Sequence, residues 1–183
     1  MTRVQKYRNL WNTPSFRLTQ NRGTMHLCDG LAYFDQHDNP KTLLDLGCGL
    51  GEAGEAFKYL GYTVSLVDFV ESENYSVPFL EQDLRLLTKR GQFGYCVNVL
   101  QHFDPHEIHT VLKRIAMKTR VQYFVIDLRQ LFIHDFPDVP EMPGGMIHMC
   151  VREPEWWLEK INTHFTVVEA TFDEKYLKVG SVS

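Results

Sequence analysis

Between residues 42 and 182, short continuous apolar runs alternate with segments whose apolar residues lie three or four apart. The continuous runs indicate buried strands, and the wider spacing indicates helices that bury one face. The predicted strands are Thr42–Leu46, Thr63–Val67, Phe79–Gln82, Gly94–Leu100, Val121–Leu128, Phe165–Phe172 and Tyr176–Val182. The predicted helices among them are Gly51–Leu60, Pro105–Lys118 and Glu153–Asn162.

This alternation predicts an α/β fold with a doubly wound, mostly parallel sheet of seven strands. The gap between the last two strands is short enough for a hairpin and too short for a parallel crossover. We therefore expect one antiparallel strand near the carboxyl terminus of the chain.

The length of 183 residues favours a single domain. Residues 1–40 are expected to form a helical lead-in that includes a helix over Thr24–Gln36, before Asn39-Pro40 interrupts the pattern. Residues 41–183 form the core. Within it, residues 130–152 are rich in proline and glycine and long enough to wall a site.

Composition and charge narrow the functional classes. The net charge of −4 lowers the expectation of nucleic-acid binding, because such domains usually carry a basic surface. No apolar run approaches the ~20 residues of a membrane span, and the amino terminus lacks a signal-peptide core. The four cysteines form no CxxC pair, so we expect structural thiols in a reducing cytoplasm.

The most informative segment is Asp45-Leu46-Gly47-Cys48-Gly49-Leu50-Gly51, which joins the first strand to a helix. Glycines at alternate positions permit a tight turn and close approach of the backbone to a ligand. Ligands of doubly wound sheets bind at the carboxyl ends of the strands, so we expect a binding site here.

Residues 49–54 also match GxGxxG, the fingerprint of dinucleotide binding, which leaves a nicotinamide-dependent oxidoreductase as an alternative. That fingerprint places a pyrophosphate at the start of the helix. Asp45 and Glu52 flank the loop, and their carboxylates oppose phosphate. They suit the sulfonium, the ammonium and the ribose hydroxyls of S-adenosylmethionine.

Two further acids follow the next two strands. Asp68 lies about twenty residues beyond the loop, where a carboxylate accepts hydrogen bonds from ribose hydroxyls. Asp83 follows the third strand, where a carboxylate could accept from an adenine amino group. The alternative for each acid is a solvated loop position or a helix cap.

These motifs resemble the class I S-adenosylmethionine-dependent methyltransferase superfamily over residues 42–128. The resemblance implies S-adenosylmethionine as cofactor and S-adenosylhomocysteine as product. It also implies that the end of the fourth strand, in residues 93–103, touches the methionine part and faces the acceptor. The cofactor residues that we infer are Asp45, Gly47, Cys48, Gly49, Gly51, Asp68, Phe69, Asp83, Leu84 and Asn98.

Residues 7–17, 93–103 and 148–157 are similar to small methyltransferases encoded by phages. This narrower resemblance implies a host cytoplasm but fixes no acceptor. Residues 98–101 lack the (D/N/S)PP(Y/F) motif of base-amine methylases, and no Pro-Cys dipeptide stands there. Nucleic-acid bases are therefore disfavoured, and we expect methylation of an oxygen or nitrogen of a small molecule. Methylation of protein or RNA and a non-catalytic binding module remain alternatives.

Base candidates are His148 and His102, in segments expected to lie over the methyl group, and each has a structural alternative. Arg17 could pair with the methionine carboxylate, since arginine binds carboxylates through two donors, and Trp11 could wall the site. The alternative is a flap packed on the sheet edge. Of His102, His106 and His109, the last two lie three residues apart and would share a helix face, but the spacing offers no third ligand, so no metal is expected. The oligomeric state stays open.

Overall fold

The computed structural model describes residues 3–20, 23–37, 40–70, 76–136 and 145–183. The strands are β1 Thr42–Leu46, β2 Thr63–Asp68, β3 Phe79–Glu81, β4 Phe93–Val97, β5 Val121–Asp127, β6 Thr166–Phe172 and β7 Tyr176–Val182. The helices are α1 Arg3–Trp11, α2 Pro14–Gln20, α3 Leu27–Phe34, α4 Glu52–Tyr59, α5 Ile108–Ala116 and α6 Pro154–Asn162.

The strands form one seven-stranded sheet in the order β3-β2-β1-β4-β5-β7-β6. Strands β1 to β5 are paired in parallel, and β7 runs antiparallel to both β5 and β6. The expected fold class is therefore confirmed, including the antiparallel strand near the carboxyl terminus. Strand order reverses between β1 and β4, which is where ligands of doubly wound sheets bind.

Helices cover both faces of the sheet because successive strand residues point to opposite sides. Leu44 joins a buried cluster with α5 and α6, and its neighbour Leu43 joins a second cluster with α3 and α4. A third cluster lies over the carboxyl ends of the strands and contains Tyr7, Leu10, Phe16, Val70, Ile133, Phe136 and Ile147. The lead-in helices therefore cover the ligand-binding edge of the sheet.

Several element boundaries differ from the sequence expectation. The fourth strand was expected to reach Leu100 but ends at Val97, because Asn98 has a φ of 56° and leaves the extended conformation. The helix expected over Thr24–Gln36 divides into a 3-10 turn, Thr24–His26, and α3. His26 has φ −108° and ψ 9°, which departs from helical geometry and separates the two.

Residues 137–144 of the expected wall segment lie outside the described residues. The segments before and after these residues pair with each other, since Phe132 and Met146 form an antiparallel bridge. Ile147 N–H also donates to the carbonyl of Leu131 over 2.9 Å. Among the described helices, none is both long and apolar enough to cross a membrane.

Candidate functional site

A cavity opens at the carboxyl ends of β1 to β4, beneath α1 and α2. Its empty volume is about 960 Å³, open mouth included. It is lined by Tyr7, Trp11, Phe16, Gly23, Asp45, Gly47, Cys48, Gly49, Ala53, Asp68, Phe69, Gln82, Leu84, Tyr95, Val97, Asn98, Val99, His102 and Phe103. Parallel strands bring their ends to one edge, so residues far apart in the sequence meet here.

The glycine loop after β1 forms the floor of this cavity. Gly47 has a φ of 71° and Gly49 a φ of 54°, values that side chains rarely tolerate. A Cβ on Gly47 would lie 2.4 Å from a methyl group of Val99, and one on Gly49 would lie 2.7 Å from the Trp11 ring. The loop is glycine-rich because the backbone turns sharply and its neighbours lie against it.

Asp45 lies beneath the loop on the face of β1 that α4 covers. Its Oδ2 accepts a hydrogen bond from the backbone N–H of Gly54 over 2.9 Å, and the side chain is buried. Burial raises the pKa of Asp45 to about 7; the hydrogen bond from Gly54 opposes this rise, and the nearby Asp68 adds to it.

Asp68 is the second buried acid in the cavity. One oxygen accepts from Gly49 N–H over 3.0 Å and the other from Val70 N–H over 3.1 Å. Burial raises its pKa to about 6, against the opposing effect of these backbone donors. A carboxylate has about four lone-pair positions, so Asp68 retains capacity for further donors from a ligand.

No salt bridge among the described residues neutralises Asp45 or Asp68, and no described lysine or arginine lines the cavity. Two buried carboxylates without a cation make this end of the cavity receptive to cations and hydroxyl donors. A pyrophosphate would meet repulsion from both. The cavity thus disfavours the dinucleotide alternative raised by residues 49–54.

Asn98 lines the cavity where β4 ends. It is the non-glycine residue with positive φ in the described chain, and both its Oδ1 and Nδ2 are buried without a hydrogen-bond partner there. Buried amide atoms in folded proteins usually have a hydrogen-bond partner, which at the wall of a cavity a ligand or a water molecule can supply. Asn98 therefore offers one donor group and one acceptor atom to a bound molecule.

The two histidines proposed as bases occupy different positions. His102 lines the cavity, and its Nδ1 lies 3.2 Å from the carbonyl oxygen of Ile147. Its ring lies edge-on to Tyr7, at 5.2 Å, and to His148, at 5.0 Å. His148 is buried behind it and is not among the lining residues; its Nδ1 contacts the carbonyl of Arg129.

The pKa of His102 is lowered to about 3, chiefly by burial of the ring and also by the nearby His148 and Lys6. The carbonyl of Ile147 and the carboxylate of Asp127 act in the opposite direction. His102 is therefore a neutral imidazole across the physiological pH range.

The remaining expected site residues separate into two groups. Trp11, Cys48, Phe69 and Leu84 line the cavity together with the residues described above. Gly51, Asp83 and Arg17 do not: Gly51 is the N-cap residue directly before α4, and Arg17 is exposed on α2. The Asp83 carboxylate accepts from the backbone N–H of Arg85 and forms an ion pair with its guanidinium.

Gln82 and Tyr95 line the cavity without having been identified from the sequence. Gln82 directly precedes Asp83. The motif after the third strand therefore identified the correct segment, but Gln82 lines the cavity and Asp83 does not. Tyr95 carries no local signal, because it is one of several aromatic residues in a buried strand. Among the described residues, no group of three or more histidine, cysteine, aspartate or glutamate residues is placed to hold a metal ion.

No protein-family model matches the sequence, and no curated protein sequence is detectably similar to it. Solved structures are similar in fold. A structure of 1,6-didemethyltoxoflavin-N1-methyltransferase from Burkholderia thailandensis, with bound 1,6-didemethyltoxoflavin and S-adenosylhomocysteine, is 20% identical with a TM-score of 0.69. The match covers 100% of this chain and 91% of that one.

A second similar structure is magnesium protoporphyrin IX methyltransferase from Synechocystis PCC 6803 with bound S-adenosylhomocysteine. It is 16% identical with a TM-score of 0.68, over 97% of this chain and 92% of that one. The PH0226 protein from Pyrococcus horikoshii OT3 is 16% identical with a TM-score of 0.67, over 88% and 90% of the two chains. These similarities show that the chain has the same Rossmann-like fold as these three proteins, two of which are named as methyltransferases.

Proposed function

We propose that the protein is an S-adenosylmethionine-dependent methyltransferase that acts on an oxygen or nitrogen of a small molecule. The observation that carries the proposal is the pair of buried carboxylates, Asp45 and Asp68, which face one cavity without a cation. A ligand with a sulfonium and an ammonium supplies the missing positive charge. Similar structures that hold S-adenosylhomocysteine support the same ligand.

The residues of the cavity fit each part of this cofactor. Asp68 has free acceptor capacity for ribose hydroxyls, and Gln82 and Leu84 wall the side expected for adenine. Asp45, Gly47, Gly49 and the amide of Asn98 line the part of the cavity that we assign to the methionine part. When bound, S-adenosylmethionine supplies an activated methyl group. The chain binds and orients the two reactants and excludes water from them.

A small acceptor is favoured by the shape of the remaining cavity. Tyr7, Trp11 and Phe16 from the lead-in helices line it, and all three belong to, or pack against, the third hydrophobic cluster. Two similar structures are enzymes named for the small molecules 1,6-didemethyltoxoflavin and magnesium protoporphyrin IX. A phage origin and a host cytoplasm stay predictions of the sequence resemblance.

The proposal is tested by methyl transfer from tritium-labelled S-adenosylmethionine into fractions of a cell extract. We expect label in a small-molecule product that is separated by chromatography from the labelled cofactor, that resists nuclease and protease, and that forms with purified protein and much more slowly with Asp68→Asn. Label that follows nuclease or protease digestion would reassign the acceptor to RNA or protein. Binding of the cofactor without label in any fraction would favour a non-catalytic module and contradict the proposal.

A further inference from the structure

A second cavity, here called the α3 groove, lies beside α3 and over strands β5, β7 and β6. Its empty volume is about 650 Å³, open mouth included. It is lined by Asp29, Ala32, Tyr33, Gln36, Tyr123, Glu169, Thr171 and Lys178. None of these residues lines the cavity at the carboxyl ends of the strands, so the two cavities are distinct.

The hydroxyl group of Tyr33 is buried at the α3 groove without a partner. Tyr33 is 1% exposed, and its Oη has no hydrogen bond within the described part of the chain. The ring packs on Gly180 of β7, where an added Cβ would lie 2.7 Å from Cζ, the atom that carries the hydroxyl. A buried phenol has lost its hydrogen bonds to water, so a polar ligand in the groove would replace them.

Glu169 faces the same groove from the neighbouring strand. It stands opposite Gly180 in the antiparallel pair of β6 and β7. Opposite residues point to the same face of a sheet, with Cβ positions about 5 Å apart, so Glu169 leaves the face that the Tyr33 ring covers. Burial first, and then the Glu169 carboxylate, raise the pKa of Tyr33 to about 12. The hydroxyl and the carboxylate therefore lie near each other at the groove.

The α3 groove carries a net negative charge. Lys178 pairs with Asp29 at 2.7 Å, which neutralises both side chains. Glu169 is exposed and forms no ion pair with any described residue. The pKa of Tyr123 is raised by burial and then by Asp29 and Glu169, in keeping with a negative potential at the groove.

We propose that the α3 groove binds a small protonated amine whose ammonium group pairs with Glu169 and donates to the hydroxyl oxygen of Tyr33. An ammonium group has three donors and no acceptor, so it can serve the carboxylate and the phenol together. Glu169 would repel a carboxylate or a phosphate, and an uncharged ligand would leave it without a counter-charge. This site does not depend on the methyltransferase function proposed above, since it shares no residue with the cofactor cavity.

Three matched probes test the charge of the ligand. Benzylamine, benzyl alcohol and benzoate share one ring and differ in charge, and their binding to the full chain at pH 7 is measured by NMR titration. We expect benzylamine to bind about five-fold more tightly than benzyl alcohol and benzoate to bind most weakly. Equal affinities of benzylamine and benzyl alcohol, or no benzylamine binding up to about 10 mM, overturn the proposal.

Two variants test the two groups that hold the amine. Glu169→Gln removes the charge, and Tyr33→Phe removes the unpartnered hydroxyl but keeps the ring on Gly180. We expect benzylamine affinity to fall about five-fold in the first and about three-fold in the second. Glu174→Gln is the matched control, because Glu174 is exposed in the turn after β6 and does not line the groove, and it should leave the affinity unchanged. An affinity that survives both groove variants overturns the proposal.

The cofactor cavity is a competing site for a cation, because Asp68 lines it. Asp68→Asn should leave benzylamine affinity unchanged if the amine occupies the α3 groove. An affinity that falls in Asp68→Asn and not in Glu169→Gln would place the amine in the cofactor cavity and overturn the proposal. Failure of the protein to bind S-adenosylhomocysteine would overturn the proposed function and leave the result for the α3 groove intact.

Discussion

The backbone N–H of Gly54 donates to Oδ2 of Asp45 over 2.9 Å, which ties the first turn of α4 to the end of β1. This one hydrogen bond holds a carboxylate that is 4% exposed and unmatched by a cation among the described residues. Burial without a counter-charge opposes folding of the ligand-free protein. The Asp45 carboxylate therefore lowers the stability of the ligand-free protein, as is expected of a charged group that binds a ligand.

Replacing Asp45 with Asn should stabilise the ligand-free protein at alkaline pH. Folding raises the pKa of Asp45 from 3.8 to about 7. The free energy of unfolding is therefore highest below about pH 4, where the carboxyl group is protonated in both states, and it falls as pH rises through 7. Asn keeps an acceptor for Gly54 and carries no charge. We expect a gain of roughly 2–4 kcal/mol at pH 8 and a smaller one at pH 5.

Thermal unfolding of both proteins at the two pH values measures this difference. Asp127→Asn is the control, because Asp127 is equally buried but forms an ion pair with Arg129. That control should lose stability at both pH values. An Asp45→Asn variant whose gain does not grow between pH 5 and pH 8 contradicts the account.

Asp68→Asn and Asp83→Asn should differ in their effect on cofactor affinity. Asp68 lines the cavity with unused acceptor positions, whereas the Asp83 carboxylate is held by Arg85. We expect Asp68→Asn to weaken S-adenosylhomocysteine binding by about 10- to 100-fold, typical of a lost charged hydrogen bond. Asp83→Asn should change the Kd less than about three-fold. An equal loss in the two variants, measured by calorimetry, would place Asp83 in the site.

Gly49 and Trp11 should be coupled in stability. A Cβ at Gly49 meets the Trp11 ring at 2.7 Å, so Gly49→Ala adds a clash to the strain of its positive φ. Removing the ring with Trp11→Ala relieves the clash, and we expect a favourable coupling of about 1 kcal/mol in a double-mutant cycle. Urea denaturation measures each variant.

Gly61 supplies the control for this cycle. It has a φ of 88° but open space where a Cβ would stand, so Gly61→Ala carries strain without a clash. Gly61→Ala and Trp11→Ala should therefore be additive. Additivity of the Gly49 pair as well would show that Trp11 does not rest on the loop in solution.

Arg129→Met should destabilise the protein more than its partly exposed position suggests. Arg129 pairs at 2.6 Å with Asp127, whose side chain is 2% exposed, so its loss leaves a buried charge unpaired. We expect a loss of roughly 2–4 kcal/mol in urea denaturation. The double variant with Asp127→Asn should recover part of that loss, and no recovery would show that Arg129 acts through packing alone.

The sequence predicted those features that depend on local pattern. The apolar runs and the short gap between the last two strands predicted the number and direction of the strands. The spacing of Asp45, the glycines and Asp68 predicted which edge of the sheet carries the cavity. The positions of His102 and His148 depend instead on how residues 145–150 fold back, and Ile147 meets His102 across 45 residues. No periodicity reports such a contact. Asp83 and Arg85 are two residues apart, so their ion pair could have been expected from the sequence. The motif match instead favoured a role for Asp83 in cofactor binding.

The most direct test of the account is calorimetric titration of the wild-type protein with S-adenosylhomocysteine, S-adenosylmethionine and, as control, NAD. Asp45 and Asp68 have no cation beside them among the described residues. We therefore expect the first two ligands to bind with roughly micromolar Kd values and NAD to show no detectable binding. Binding of NAD without binding of S-adenosylhomocysteine would contradict the central claim.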